Sequence, residues 1–212
     1  MNHRDPGSKP ALTVAQTTAT ARRRLLGCAC CAAGSLVLPA LSRATASADR
    51  AAPAAIGDWR ASLLQGTRSL WLVRGEAQVR STYWRPESGY DGDAYREICW
   101  LLRDVQANKS FTMSPRLLDL LCGLQNWLAF NGLRQPIHVN SGYRTFATNW
   151  GTEGAALNSR HILGKAVDIT VPGVSLARLA GMASLFGKGG VGMYLSKGFV
   201  HVDTGEERVW IK

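Results

Sequence analysis

A chain of 212 residues, 46% of them hydrophobic, is long enough for one core-forming domain with appendages and has the composition of a globular protein. Its formal charge of +10 would suit a nucleic acid only if the basic residues formed a stripe with interleaved aromatics; they are scattered, so nucleic acid is excluded as the expected partner. Six of the 25 basic and one of the 15 acidic residues fall in residues 1–46, so the remainder carries a net charge of only +5, a modest excess that suits an anionic envelope polymer.

Residues 1–46 differ in kind from the rest. Arg22-Arg23-Arg24-Leu25-Leu26, an apolar run to Leu41 and the small residues Ala44-Thr45-Ala46 have the layout of a cleaved signal peptide. The arginine pair followed closely by two leucines is similar to a twin-arginine signal. Gly27, Gly34 and Pro39 interrupt the apolar run, which argues against a spanning helix, so no membrane anchor is expected to survive cleavage. The expected location is the periplasm or another exported site of the bacterial envelope, and Cys28, Cys30 and Cys31 would leave with the signal. Residues 47–66, rich in Ala and Arg, read as a mobile leader, and residues 67–212 as the functional domain.

In that domain, Ser69 to Val73 and Ala77 to Trp84 flank Arg74-Gly75-Glu76 as the strands of a hairpin, and Pro86 to Gly92 is turn-rich. Ile98, Leu101, Leu102 and Val105 predict a helix capped by Asp93. A second helix opens at Ser114-Pro115, continues through Leu117, Leu118, Leu121, Leu124 and Leu128, and stops at Asn131-Gly132. Cys99 and Cys122 lie one on each helix; export of folded protein and their apolar surroundings favour buried free thiols over a disulfide. Ile137 to Asn140 is a short strand leading into Ser141-Gly142-Tyr143-Arg144, and Thr145 to Asn158 reads as a polar loop. A half-buried strand over Val167 to Val171 and a helix from Val174 to Phe186 follow. Gly187 to Gly192 shapes a turn into an edge strand bearing Met193 and Tyr194; it is no phosphate cradle, because no Gly-Lys-Ser/Thr opens a helix there. There is no Gly-x-Ser-x-Gly elbow and no cysteine in a site-like context. Strands and helices without regular β-α-β alternation predict an α+β domain with a central antiparallel sheet and flanking helices.

Metal chemistry is concentrated in two stretches, Asn158 to Ile169 and Phe199 to Asp203. His161, Asp168 and His201 are three ligands of the kind a catalytic zinc uses, with a fourth position left for water. Gly164 and Ala166 let the chain turn between the first two, and alternation in Phe199-Val200-His201-Val202-Asp203 puts His201 and Asp203 on one strand face. An ionised aspartate facing a sheet interior costs several kcal/mol unless a cation or donor compensates it. A single histidine is more often a hydrogen-bonded structural group than a ligand. Here two of the three histidines outside the signal region fall in one constellation, which favours the metal. Arg144 alone reads as a solvated or ion-paired group, although its fork suits a carboxylate or carbonyl beside a metal.

Ser141-Gly142-Tyr143-Arg144, Ser159 to Asp168, Gly189 to Tyr194 and Phe199 to Gly205 together resemble the murein endopeptidase K family, a branch of the zinc D-Ala-D-Ala peptidases with the hedgehog-type fold. The likeness extends from about Ser69 to Trp210 and includes Gly89-Tyr90-Asp91 and Arg103 to Lys109. It implies hydrolysis of an amide bond in peptidoglycan peptides, with His161, Asp168 and His201 as Zn2+ ligands; a monomer is expected. It also implies Arg144 as a catalytic residue that holds or polarises the substrate, and Ser159 as a peptide contact; Tyr143, beside Arg144, is a further candidate contact. The family's relatives carry a Glu or His base two or three residues before the last zinc histidine, whereas this chain has Phe199 and Gly198. Asp203 is the substitute general base, and reads equally as a partner orienting an imidazole. Two other readings stand beside this one. One is a cell-wall binding module that keeps the metal without the chemistry. The other is an iron oxygenase using His201, Asp203 and a second histidine, against which only nine residues follow Asp203 and none is His.

Overall fold

Hydrophobic alternation organises residues 59–187 and 189–212, those described by the computed structural model, around one eight-stranded sheet. The segment read as a signal peptide and residues 47–58 of the leader lie outside the described residues. The elements are α1 (Trp59–Ser62), β1 (Arg68–Arg74), β2 (Ala77–Arg85), β3 (Gly89–Tyr90), α2 (Gly92–Leu101), α3 (Pro115–Phe130), β4 (Ile137–Ser141), α4 (Phe146–Trp150), β5 (Ala166–Thr170), α5 (Leu176–Leu185), β6 (Gly190–Tyr194), β7 (Phe199–Asp203) and β8 (Arg208–Ile211). Strand order is β3-β2-β1-β4-β5-β7-β6-β8. The α+β class holds, and β4, β5, β7 and β6 form an antiparallel centre. The sheet as a whole is mixed, because β1 runs parallel to β4 and β6 parallel to β8.

Strand alternation divides the sheet into two chemistries. Val167, Ile169, Val191, Val200 and Val202 join Leu117, Leu121, Leu124 and Leu179 of the helices in one core, while Asp168, His201 and Asp203 occupy the intervening positions. Each fully buried aliphatic side chain stabilises the fold by roughly 1.5–3 kcal/mol, and this core holds the polar face in register. Cys99 and Cys122 are buried free thiols, and burial pushes both above the ordinary thiol range. Among the described residues no helix is long and apolar enough to cross a membrane.

The structure changes several boundaries. Asp91, not Asp93, caps α2, its side chain accepting from the amides of Asp93 and Ala94 at 3.1 and 3.0 Å. That helix ends at Leu101 and does not run to Val105, which is exposed. The cause is Asp104: its Oδ1 takes the amides of Gln106 and Ala107, and its backbone bridges Lys109, so local hydrogen bonds outcompete a further helical turn. Strand β5 is buried on both faces from Ala166 to Ile169, not half-buried, because it lies between β4 and β7. Nor is β6 an edge strand, since β8 lies outside it. The end of the expected leader is part of the body: Trp59 packs its ring 5.1 Å from Trp127 and 5.6 Å from Phe186, and Asn126 donates to the Leu63 carbonyl.

Asp104 also ties α2 to the loop that carries Arg144. Its Oδ2 accepts from both the amide and the hydroxyl of Thr145 at 2.8 Å, with only 2% of the residue exposed. Burial alone would raise its pKa, but hydrogen bonds from Thr148, Thr145 and Ala107 prevail and hold it at about 2. A carboxylate depressed from ~3.9 contributes about 2 kcal/mol, in full above the unfolded value and lost as pH falls toward the folded one. Urea unfolding should therefore show Asp104→Asn less stable by about 2 kcal/mol at pH 7, with the two proteins converging between about pH 4 and pH 2. A constant difference down to the lower limit would contradict the assignment.

Candidate metal centre

Register brings the site together. Asp168 on β5 lies directly opposite His201 on β7. His161 arrives from the turns before β5, where Gly164 takes the left-handed φ of 63° that lets the chain double back. Its ring is fixed from behind: Nδ1 donates to the Gly142 carbonyl at 2.6 Å, leaving the Nε2 lone pair pointing inward. His201 is fixed the other way round, with Nε2 donating to Asp203 Oδ2 at 3.0 Å and Nδ1 pointing inward.

The inward atoms form a triangle. His161 Nε2 stands 3.2 Å from His201 Nδ1 and 3.2 Å from Asp168 Oδ1, and His201 Nδ1 is 2.9 Å from the same oxygen. Ligands held about 2.0 Å from a tetrahedral zinc would be separated by about 3.3 Å. With both imidazole protons turned outward, all three inward atoms are acceptors, and the site contains no donor for them. The donor set therefore fits a divalent cation. It is the one group of convergent His, Cys, Asp or Glu ligand atoms among the described residues, and all three residues are buried.

Electrostatics agree. Burial pushes His161 below the ordinary imidazole range. Burial would raise Asp168, but hydrogen bonds with His161 and His201 hold it well below the usual carboxylate range. Burial would lower His201, but hydrogen bonds and charge from Asp168 and Asp203 prevail and raise it.

The other expected residues fall into distinct places. Arg144 joins the centre: Nη2 donates to Asp168 Oδ2 at 2.5 Å and Nε to Ser141 Oγ at 2.8 Å, leaving Oδ1 for an ion. It also borders a cleft of about 570 Å³ above the triangle, as does Ser159, whose hydroxyl accepts from the His161 amide. Tyr143 does not line that cleft; its ring stacks on Phe111 at 4.7 Å and borders a smaller hollow next to Arg144. Asp203 is fully buried behind His201, where its carboxylate accepts from His201, Arg208 and the amides of Gly190 and Gly205. The expected approach of Asp203 to a water above the ion is not what the geometry provides. The same geometry overturns the oxygenase ligand set, since Asp168 and not Asp203 joins the two histidines.

Sequence reasoning missed the cleft's charge. Arg160, Lys197, Arg208 and Lys212 border it with Arg144, against Asp168, Glu153 and Glu206. These residues come from the loop before β5, the β6–β7 turn and β8, and no spacing rule connects them.

A family profile described as peptidoglycan L,D-endopeptidase MepK matches residues 64–210. The chain belongs to this family. It is 32% identical over 193 residues to peptidoglycan L,D-endopeptidase MepK of Escherichia coli strain K12, covering 89% of this chain and 96% of that one. It is 37% identical over 127 residues to probable peptidoglycan L,D-endopeptidase MepK of Haemophilus influenzae, covering 58% of this chain and 67% of that protein. The resemblance read from the sequence is borne out, and the MepK match spans every residue of the triangle.

Added zinc should raise the thermal unfolding midpoint of the parent, because only the folded triangle binds it. His161→Ala and Asp168→Ala should lose that response. Affinity should fall as pH drops, because protons compete first for His201, raised above the ordinary imidazole range, and then for His161, held below it. Equal zinc responses in parent and His161→Ala would exclude the triangle as the site.

Proposed function

We propose that the protein is an exported, monomeric, zinc-dependent peptidoglycan L,D-endopeptidase that hydrolyses an amide bond in cell-wall peptides. The observation that carries this reading is the buried, donor-free triangle of His161, Asp168 and His201 at the floor of an open cleft, in a chain of the MepK family. The twin-arginine-like run at Arg22 to Leu26 supports export, and the relatives' names support the L,D bond.

Zinc, when bound, would lower the pKa of a coordinated water toward ~7 and polarise the scissile carbonyl. His161 and His201 hold neutral nitrogens ready, each fixed by its outward hydrogen bond. Arg144 holds Asp168 in place and, at the cleft wall, offers its guanidinium to a substrate carboxylate or developing oxyanion. Ser159 contacts the peptide from the rim. Asp203 acts as a positioning residue for His201, which leaves Glu153 and Glu206, besides the ligand Asp168, as the carboxylates bordering the cleft. The cationic wall draws in an anionic polymer.

A binding module that keeps the metal remains the second reading, favoured by Phe199 and Gly198 in place of a base and by the burial of Asp203. Mass spectrometry of muropeptides after digestion of purified cell wall separates the two. The parent should release new peptide ends, and a chelator or His161→Ala should reduce this at least a thousandfold, on the order of losing catalysis outright. Zinc-loaded protein that binds cell wall and releases nothing would establish the second reading instead.

A further inference from the structure

The ligand set leaves two features unexplained: the glycine-rich start of β6 and the last strand, β8. These strands lie side by side in parallel, with Gly190 paired to Arg208 and Gly192 to Trp210. A Cβ on Gly190 would stand 2.5 Å from Asp203 Oδ2 and 2.6 Å from Arg208 Nη1. One on Gly192 would stand 2.3 Å from the Trp210 ring. On this face β6 is therefore bare because two side chains of β8 lie across it and reach β7.

Arg208 Nη2 donates to Asp203 Oδ2 at 2.7 Å, the oxygen that also accepts from His201 Nε2. Its Nη1 reaches Asp203 Oδ1 at 3.4 Å and donates to the Glu206 carbonyl at 3.0 Å. The guanidinium lies 4.9 Å from the centre of the Trp210 ring, which itself stands 5.4 Å from the His201 ring. The indole N–H of Trp210 donates to the Tyr194 hydroxyl at 3.3 Å, fixing the ring.

We propose that Arg208 and Trp210 are positioning residues that set the tautomer and orientation of His201 and thereby the affinity of the metal centre, with Gly190 and Gly192 forming the slot they need. The inference rests on the metallopeptidase reading above. A fully buried carboxylate needs donors around it, and Arg208 joins the amides of Gly190 and Gly205 in pairing with the Asp203 carboxylate and aiming it at His201. Asp203 then holds the His201 proton on Nε2, which leaves Nδ1 as the ligating nitrogen. Trp210 flanks the ring and opposes its rotation. Arg208 also borders the cleft with its side chain 44% exposed, so a direct substrate contact is the competing role.

The test uses the full mature protein carrying Arg208→Met, Trp210→Leu or Gly192→Ala. Zinc affinity is read by competition with a chromogenic chelator, and coordination by the visible spectrum of the cobalt-substituted protein. All three variants should bind zinc roughly 10- to 100-fold more weakly, the usual effect of losing an outer partner of a ligand, and should alter the cobalt bands. Gly192→Ala is the informative one, since it removes no side chain and its added methyl would meet the Trp210 ring first. Unchanged affinity and spectrum in Arg208→Met, with a raised KM for cell-wall peptides, would overturn the proposal in favour of substrate contact. If Arg208→Met does not fold, Trp210→Leu and Gly192→Ala decide on the same two readouts. A parent that binds zinc but cuts nothing overturns the peptidase reading alone, because these readouts need no substrate; a parent that binds no zinc overturns both.

Discussion

Three acceptor atoms pressed within 3.2 Å of one another, with every available proton turned away, form the constraint on which the rest of the structure depends. Such a cluster is self-repulsive and strongly attractive to a divalent ion, so its surroundings have to hold it together before the ion arrives. Each ligand has a dedicated outer partner: the Gly142 carbonyl for His161, Arg144 for Asp168, Asp203 for His201. Those partners come from the loop after β4 and from the end of β7, all anchored to one sheet.

The sheet makes this arrangement tolerable in stability. Because successive side chains alternate, the strands that bury Val167, Ile169, Val200 and Val202 in the core also present Asp168, His201 and Asp203 on the other face. Rigidity on one side supplies precision on the other. The loop bearing Arg144 lacks a strand's support and is fastened instead by the Asp104 carboxylate through Thr145. The β6 face is kept bare so that β8 can reach His201 and Asp203 from outside. Packing and site chemistry are thus two consequences of the same register.

Much of this was legible in the sequence. Period-two alternation placed His201 and Asp203 on one face, and helical spacing with Ser114-Pro115 and Gly132 marked α3, because those signals are local. The triangle was legible as chemistry, since two histidines and an aspartate set in apolar stretches make a ligand set that core packing alone does not call for. Long-range signals were not. The role of Asp203 depends on Arg208 and on two backbone amides, which the pattern Phe199 to Asp203 does not reveal. Strand β8 carries too short a local pattern to mark it, and only pairing with β6 makes Arg208–Ile211 a strand. Tyr143 looked like a substrate contact beside Arg144, but its ring packs on Phe111, a neighbour no spacing rule supplies.

The most direct measurement of the central claim is X-ray absorption at the zinc edge on the stoichiometrically loaded protein. The account predicts a single ion with nitrogen and oxygen neighbours at about 2.0–2.1 Å, multiple scattering from two imidazoles, and one position exchangeable with solvent. A first shell containing sulfur at about 2.3 Å, or one lacking the scattering of two imidazoles, would contradict it.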